Sequence, residues 1–328
     1  MAKGTKEIQR RIKSINNTRK ITRAMEMVSA AKMKKEIDNV LSIRNYAQSA
    51  WNVLMNLSKS LERSNHGLLE IRDVKNILVV VVTSNRGLCG SFNSQLLKKV
   101  MDQVKNPDLI KINRIKDQKI ASNVANKDLS FDFITVGKKG FDFLNFRNHE
   151  ILALFEKFNY NASLDDVRAL AKMVIDDYVD KKYDKVVVAY TDYVNTIKQV
   201  PRLRQLLPIS SVDIEKQIEE IEEQKEGTPK ERIENVKSRW QGVNYKIEPK
   251  PKQVIDHILP RLVEMQLYHA ILESNASKES ARMVAMKNAT EAANDMMDQL
   301  QYSYNQLRQM GITQEIAEIT SGKMATEE

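Results

Sequence analysis

The chain has a single cysteine, Cys89, among 328 residues, which excludes an internal disulfide framework and a cysteine-based zinc site. Its four histidines, His66, His149, His257 and His269, are scattered and show no ligand spacing. Ten glycines and seven prolines are too few for disorder, collagen or a turn-rich all-β fold. Aromatics make up only 6% against a hydrophobic fraction of 42%, a core poor in large fillers that suits long helices. The longest apolar run, Ile77–Thr83, is far short of the ~20 residues of a membrane helix. No apolar stretch of roughly 7–15 residues follows the basic N-terminus, as a secretory leader would require. The expectation is a mature, soluble, intracellular protein.

Acidic residues are scarce in one place. Lys and Arg number 52 against 43 Asp and Glu, a net charge of +9. Met1–Lys35 alone holds 11 basic and 2 acidic residues, and the remaining 293 residues balance at 41 of each. A function has to account for that segment.

The first sixty residues contain no proline, and their only glycine is Gly4. Apolar residues fall in groups with 3–4 spacing: Ile8, Ile12, Ile15; then Ile21, Met25, Val28; then Ile37, Leu41; then Trp51, Leu54, Leu57, Leu61. The groups are out of phase, because a strict heptad from Ile8 would place Arg19 and Thr22 in the seam. The pattern predicts a long helix with coiled-coil stretches and phase shifts between them. From Lys6 to Leu61 it would extend roughly 84 Å.

The texture changes at Lys75. Ile77–Thr83 reads as a buried parallel strand, followed by the loop Ser84–Gly90 and a helix from near Ser91 to Val104. Phe131–Gly137 is a second strand, Lys138–Phe146 a short helix, Leu164–Tyr178 an amphipathic helix capped by Ser163 with Asp166, and Lys185–Tyr190 a third strand. This alternation predicts a Rossmann-like three-layer α/β domain with a mostly parallel sheet. Lys105–Asp128 reads as polar and irregular, and Asp213–Glu234 as a charged excursion broken at Gly227–Pro229. Pro249 and Pro251 mark a boundary, and Gln253–Glu318 is helical again, roughly 100 Å if continuous, with Pro260 beginning or kinking it. Ala293, Met297, Leu300, Tyr304 and Leu307 form a heptad run, resumed by Ile312, Ile316 and Ile319.

Neither long helix can bury its narrow seam alone. The expected architecture is an antiparallel coiled coil of the N- and C-terminal helices with the α/β domain inserted between them. The domain limits are 1–62, 75–210, 211–247 (a charged insertion) and 253–322.

The loop Asn85-Arg-Gly-Leu-Cys-Gly90 lies where an α/β sheet usually binds a ligand. It has neither a GxGxxG nor a GxxxxGK[ST] pattern, and no histidine is near Cys89 to serve as a base. Gly87 and Gly90 are expected to permit a tight turn and close helix–strand packing. The basic helix has no aromatic before Tyr46 and no nucleic-acid docking motif, so an acidic protein partner is favoured over nucleic acid. Met25, Met27, Met33, Met283, Met286, Met296 and Met297 read as seam packing on adaptable side chains.

Three long stretches then carry a resemblance: IQRRIKSINNTRKITRAMEMVSAAKMKK (Ile8–Lys35), TSNRGLCGSFN (Thr83–Asn93), and ESARMVAMKNATEAANDM followed by YNQLRQMGITQEIAEITSG to Gly322. With YVNTIKQVPRLRQLLPI (Tyr193–Ile209), they resemble the gamma subunit of the F-type ATP synthase, its central rotating shaft. The resemblance implies a non-catalytic subunit without cofactor or metal. It would be present in one copy, with its paired helices inside a ring of alpha and beta subunits and its α/β domain near epsilon and the c-ring. It implies no nucleic acid and no bilayer insertion, and a peripheral place on the cytoplasmic face of a bacterial plasma membrane. It further implies that Met25, Arg282, Gln309 and Thr313 face the acidic catch loops of beta, with Arg19, Lys20, Arg23, Lys32 and Lys34 along the same belt. Ile312, Ile316 and Ile319 would form a bearing tip. Two alternatives stay open: the shaft of a related ATPase adapted to other work, and a stand-alone α/β enzyme with a coiled-coil arm. Without a cysteine pair, a chloroplast-type redox switch is absent.

Overall fold

The computed structural model describes residues 2–61, 66–115, 118–121, 124–159, 162–209 and 251–327. The charged segment 213–234, and with it the whole of 211–247, lies outside the described residues. The described chain divides into two compact units, Met1–Ala31 with Arg282–Glu328, and Lys32–Ala281. Two helices contribute to both, α1 (Ala2–Leu61) and α5 (Pro251–Glu327). Helix α5 begins at Pro251, where a missing N–H costs nothing. Pro260 lies inside it, neither starting nor ending it.

In the larger unit, β1 (Asn76–Val82), β4 (Ser130–Val136), β5 (Ile151–Phe155), β6 (Lys185–Tyr193) and β7 (Gln199–Leu207) form one sheet in the order β5-β4-β1-β6-β7. All neighbours are parallel except β6 and β7. The sequence reading missed β5 and β7. Ile151–Phe155 and Gln199–Leu207 are partly exposed edge strands, and an edge strand lacks the continuous apolar run that revealed β1. The stretch read as irregular, Lys105–Asp128, contains an antiparallel hairpin of β2 (Ile112–Ile115) and β3 (Gln118–Ala121). Its strands are four residues each, too short and polar to stand out by periodicity.

Period-two alternation sorts the central strands between two cores. Ile77, Val79 and Val81 face Leu96, Leu97 and Val100 of α2 (Phe92–Lys105) and Leu144 of α3 (Lys138–Asn145). Leu78, Val80 and Val82 face Val167, Leu170 and Val174 of α4 (Leu164–Val179), together with Ile255, Leu259, Val263 and Ile271 of α5. Each fully buried aliphatic side chain contributes roughly 1.5–3 kcal/mol, so the β1 run alone anchors the domain. Helix α4 starts as read from sequence: Ser163 Oγ accepts from Asp166 N at 3.2 Å, and Ser163 N donates to Asp166 Oδ2 at 3.3 Å.

In the smaller unit, residues 2–31 of α1 run antiparallel to residues 282–327 of α5. Gln9 Nε2 donates to Tyr304 Oη at 2.9 Å and Arg19 Nη1 to Asn294 Oδ1 at 3.2 Å, while the hydroxyls of Thr22 and Thr290 share a 2.8 Å bond. Between Ile8 and Ser29 the phase shift expected in α1 does not occur, while Leu41 and the group from Trp51 to Leu61 lie outside the described side chains. The strict heptad from Ile8 persists through Ile12, Ile15, Arg19, Thr22, Glu26 and Ser29, all buried or half-buried, whereas Ile21 and Val28 are 60% and 53% exposed. Cross-helix hydrogen bonds and the aliphatic stem of Arg19 replace apolar knobs at the polar positions, so the period is kept. On α5, Met286, Thr290, Ala293, Met297, Leu300, Tyr304 and Leu307 continue the facing seam.

Polar seam pairs fix register at a cost in stability. Replacing Thr22 and Thr290 together with valine removes donor and acceptor at once and leaves no orphan. The expected result is a thermal midpoint unchanged or slightly raised, with the stability change within about 1 kcal/mol. A larger loss, measured by circular dichroism of the full chain, would contradict this reading of the pair.

Candidate functional site

The residues singled out from sequence fall into three groups. In the smaller unit, Lys20 and Arg23 project from the basic face of α1, and Arg23 forms an ion pair with Glu26 at 3.0 Å. Arg19 is turned into the seam instead, held by Asn294 and by Asn16 Oδ1 at 2.9 Å. Met25 is half-buried, while Met27 beside it is 59% exposed. Arg282 is half-buried on α5. Gln309 and Thr313 are exposed one turn apart, with Thr313 Oγ1 donating to Gln309 O at 3.0 Å. At 1.5 Å per residue Gln309 lies about 40 Å along α5 from Arg282, so the two do not form one cluster. Lys32 and Lys34 belong to the larger unit, where both are exposed. Ile312, Ile316 and Ile319 are also exposed, past the described end of α1 in the antiparallel register.

The two acidic residues of the first 35 are both paired, Glu7 with Arg11 at 2.7 Å and Glu26 with Arg23 at 3.0 Å. Lys20 and Arg23 stand exposed on α1, where meeting a negative partner costs little desolvation. Each single ion pair at such a surface contributes about 0.2–1 kcal/mol. A contact of that size makes no single one of these basic residues decisive.

The loop after β1 is closed upon itself. Ser84 N donates to Asn93 Oδ1 at 3.0 Å, Ser84 Oγ to Arg86 O at 2.7 Å, and Asn93 Nδ2 to Ser84 Oγ at 2.8 Å. Asn85 bridges outward, accepting from Lys138 N at 3.0 Å and donating to Glu156 O at 2.8 Å. Cys89 is buried, and Asn93 Nδ2 donates to its Sγ at 3.2 Å. Gly90 has φ +55°, in keeping with a turn glycine, but nothing stands within 4 Å of a Cβ placed on it. Gly87 has neither a left-handed backbone nor a close neighbour, and the left-handed residue beside it is Leu88 (φ 63°). The close packing expected of Gly87 and Gly90 is found instead at Gly137 and Gly140, both against Thr83. Thr83 Oγ1 also accepts from Gly140 N at 2.9 Å. A glycine directly after a strand and another three residues into the helix were the available signals.

One buried acid lies on α1 within the larger unit. Glu36 is 7% exposed, and its Oε2 has no hydrogen-bond partner among the described residues. Burial pushes its carboxyl above the ordinary range, with Glu279 adding to the shift and Lys278, Asn39 and Lys35 opposing it. The folded state thus holds a proton more tightly than the unfolded chain does. Stability contributed by this group is greatest at low pH and falls as pH rises above the ordinary glutamate value of about 4.5. Glu36→Gln should remove that slope, so the variant's advantage in thermal midpoint grows from pH 5 to about pH 8. An advantage that shrinks with pH would contradict the assignment.

An antiparallel helix pair in one unit and, in the other, an α/β domain with a self-closed strand-end loop define a mixed α/β protein with a coiled-coil element. Comparison with known proteins makes the class specific. The family model described as ATP synthase matches residues 4–326. The chain is 33% identical over 322 residues to the ATP synthase gamma chain of Legionella pneumophila (strain Corby), covering 98% of this chain and 99% of the relative. It is 35% identical over 325 residues to that of Verminephrobacter eiseniae, covering 99% of each. Among solved structures, it resembles a chain of the Euglena gracilis mitochondrial ATP synthase OSCP/F1/c-ring assembly, with TM-score 0.60 and 17% identity over 99% of this chain and 95% of the other. It also resembles a chain of the Tetrahymena thermophila mitochondrial ATP synthase central stalk and c-ring, with TM-score 0.53 and 24% identity over 82% of this chain and 99% of the other. The chain belongs to the ATP synthase gamma-chain family.

Proposed function

We propose that the chain is the central shaft of an F-type ATP synthase, non-catalytic itself, which couples ion flow through a membrane ring to ATP synthesis or hydrolysis on beta subunits. The single observation that carries this reading is the match to gamma chains along nearly the whole length, in a chain whose described terminal segments pair as antiparallel helices. Its partners are the alpha and beta subunits, epsilon and the c-ring, with one copy per complex, on the cytoplasmic face of a bacterial plasma membrane. Among the described residues no helix is long and apolar enough to cross a membrane, which suits a subunit held by its partners. Arg19, Lys20, Arg23, Met25, Lys32, Lys34, Arg282, Gln309 and Thr313 are the contacts to beta, and Ile312, Ile316 and Ile319 the bearing tip. Within that set, Arg19 acts from the seam and supports the others.

Co-purification of a tagged full-length chain from its own cells tests the assembly. Recovery with alpha, beta, epsilon and c subunits is expected. Recovery with alpha and beta but reproducibly without c would favour the shaft of an ATPase with other work, and recovery alone would overturn the reading.

A further inference from the structure

In a sheet ordered β5-β4-β1-β6-β7, the strand order reverses between β1 and β6. The crevice outside the carboxyl ends of those two strands is where doubly wound domains hold a small-molecule ligand. Here it is occupied by the chain's own helix. Ten consecutive residues of α5, 271–280, are buried, so this segment is enclosed on all sides. Glu273 Oε2 accepts from Tyr193 N, the last residue of β6, at 2.9 Å. Ser274 Oγ donates to Val82 O, at the end of β1, at 3.4 Å. Ser277 Oγ donates to Thr191 O of β6 at 3.1 Å, and Ser280 Oγ to Thr196 O just beyond it at 2.8 Å. Residues 273, 274, 277 and 280 lie on one face of the helix, and that face straddles β1 and β6.

We infer that Glu273, Ser274, Ser277 and Ser280 make α5 the resident ligand of the sheet's switch-point crevice, forming a clamp that stops the α/β domain turning about the helix. Small hydroxyl side chains let the helix approach the strand ends closely, and each donates to a carbonyl at or just beyond the end of β1 or β6. Four bonds at different positions along one helix face resist rotation about its axis as apolar packing alone does not, because hydrogen bonds are directional. The clamp's role in transmitting torque rests on the proposed shaft function, whereas the clamp itself does not.

Two measurements separate these claims. In the wild-type full chain, native-state hydrogen exchange should show the amides of 191–193 and 273–280 opening together with those of Val79–Val81. If they exchange 100-fold or more faster than the β1 amides, the clamp is overturned, whatever the protein does. In the membrane-reconstituted complex, the triple variant Ser274→Ala, Ser277→Ala, Ser280→Ala should retain ATP hydrolysis and lose at least half of the ion pumping driven by it. Retained pumping with faster exchange at 191–193 would overturn the torque role and leave the clamp standing. Failure of the wild-type chain to enter any complex would overturn the shaft reading alone.

Discussion

Gly137→Ala is expected to cost the α/β domain a large part of its stability. Gly137 links β4 to α3 with φ +99°, a conformation that costs an L-residue about 1–3 kcal/mol. An added Cβ would also overlap the backbone of Thr83, whose carbonyl carbon would stand 2.7 Å away. That backbone cannot swing aside, because Thr83 N donates to Val136 O at 2.7 Å and Thr83 Oγ1 lies within bonding distance of Val136 O and Gly137 O. Forced displacement in a packed core costs a further 1–3 kcal/mol or so. The sum, roughly 2–6 kcal/mol, is comparable to the whole stability of a marginal domain. Gly87→Ala, in open space with an ordinary backbone, should stay within about 0.5 kcal/mol. Urea unfolding of the full chain decides the matter, and equal effects at the two glycines would contradict the packing described.

Neutralising the basic belt as a set should weaken binding to an alpha–beta head far more than any single change. Switching a beta subunit between nearly all open and nearly all closed requires about 5.5 kcal/mol of differential interaction. One exposed ion pair supplies about 0.2–1 kcal/mol. Lys20→Gln, Arg23→Gln, Lys32→Gln or Lys34→Gln alone should therefore change affinity by no more than about 5-fold. The four together should lose roughly 0.8–4 kcal/mol, between about 4-fold and 1000-fold, and the loss should shrink at high salt. Arg19 is left out because its guanidinium holds Asn294 and Asn16, so its removal would weaken the helix pair itself. A single variant that reproduced the full loss would replace the distributed surface with one decisive contact.

Much of this was legible in the residues. The continuous run Ile77–Val82 announced a central parallel strand because burial on both faces leaves no polar positions. Ser163 and Asp166 announced the start of α4 because a capping box is local chemistry. The edge strands β5 and β7 were not legible, since partial exposure breaks their pattern. The seam of α1 was misread where Arg19 and Thr22 stand in it. Hydrophobic counting favours Ile21 and Val28, but Thr22 pairs with Thr290 and Arg19 with Asn294, and those partners lie 268 and 275 residues away. Nor did the glycines of the β1 loop show that the tight approach lies at Gly137, because closeness to Thr83 depends on the pairing of β1 with β4. The basic excess of α1 could be read by counting charges, while the separation of Gln309 and Thr313 from Arg282 follows from the length of the helix.

The central claim is that this chain turns inside a head of alpha and beta subunits. The most direct test fixes such a head to a surface, attaches a probe to an exposed residue of the α/β domain, and records the probe while ATP is hydrolysed. The account predicts unidirectional rotation in three steps per turn, one for each beta subunit met. Sustained hydrolysis by a head containing this chain, with the probe stationary or moving at random, would contradict it.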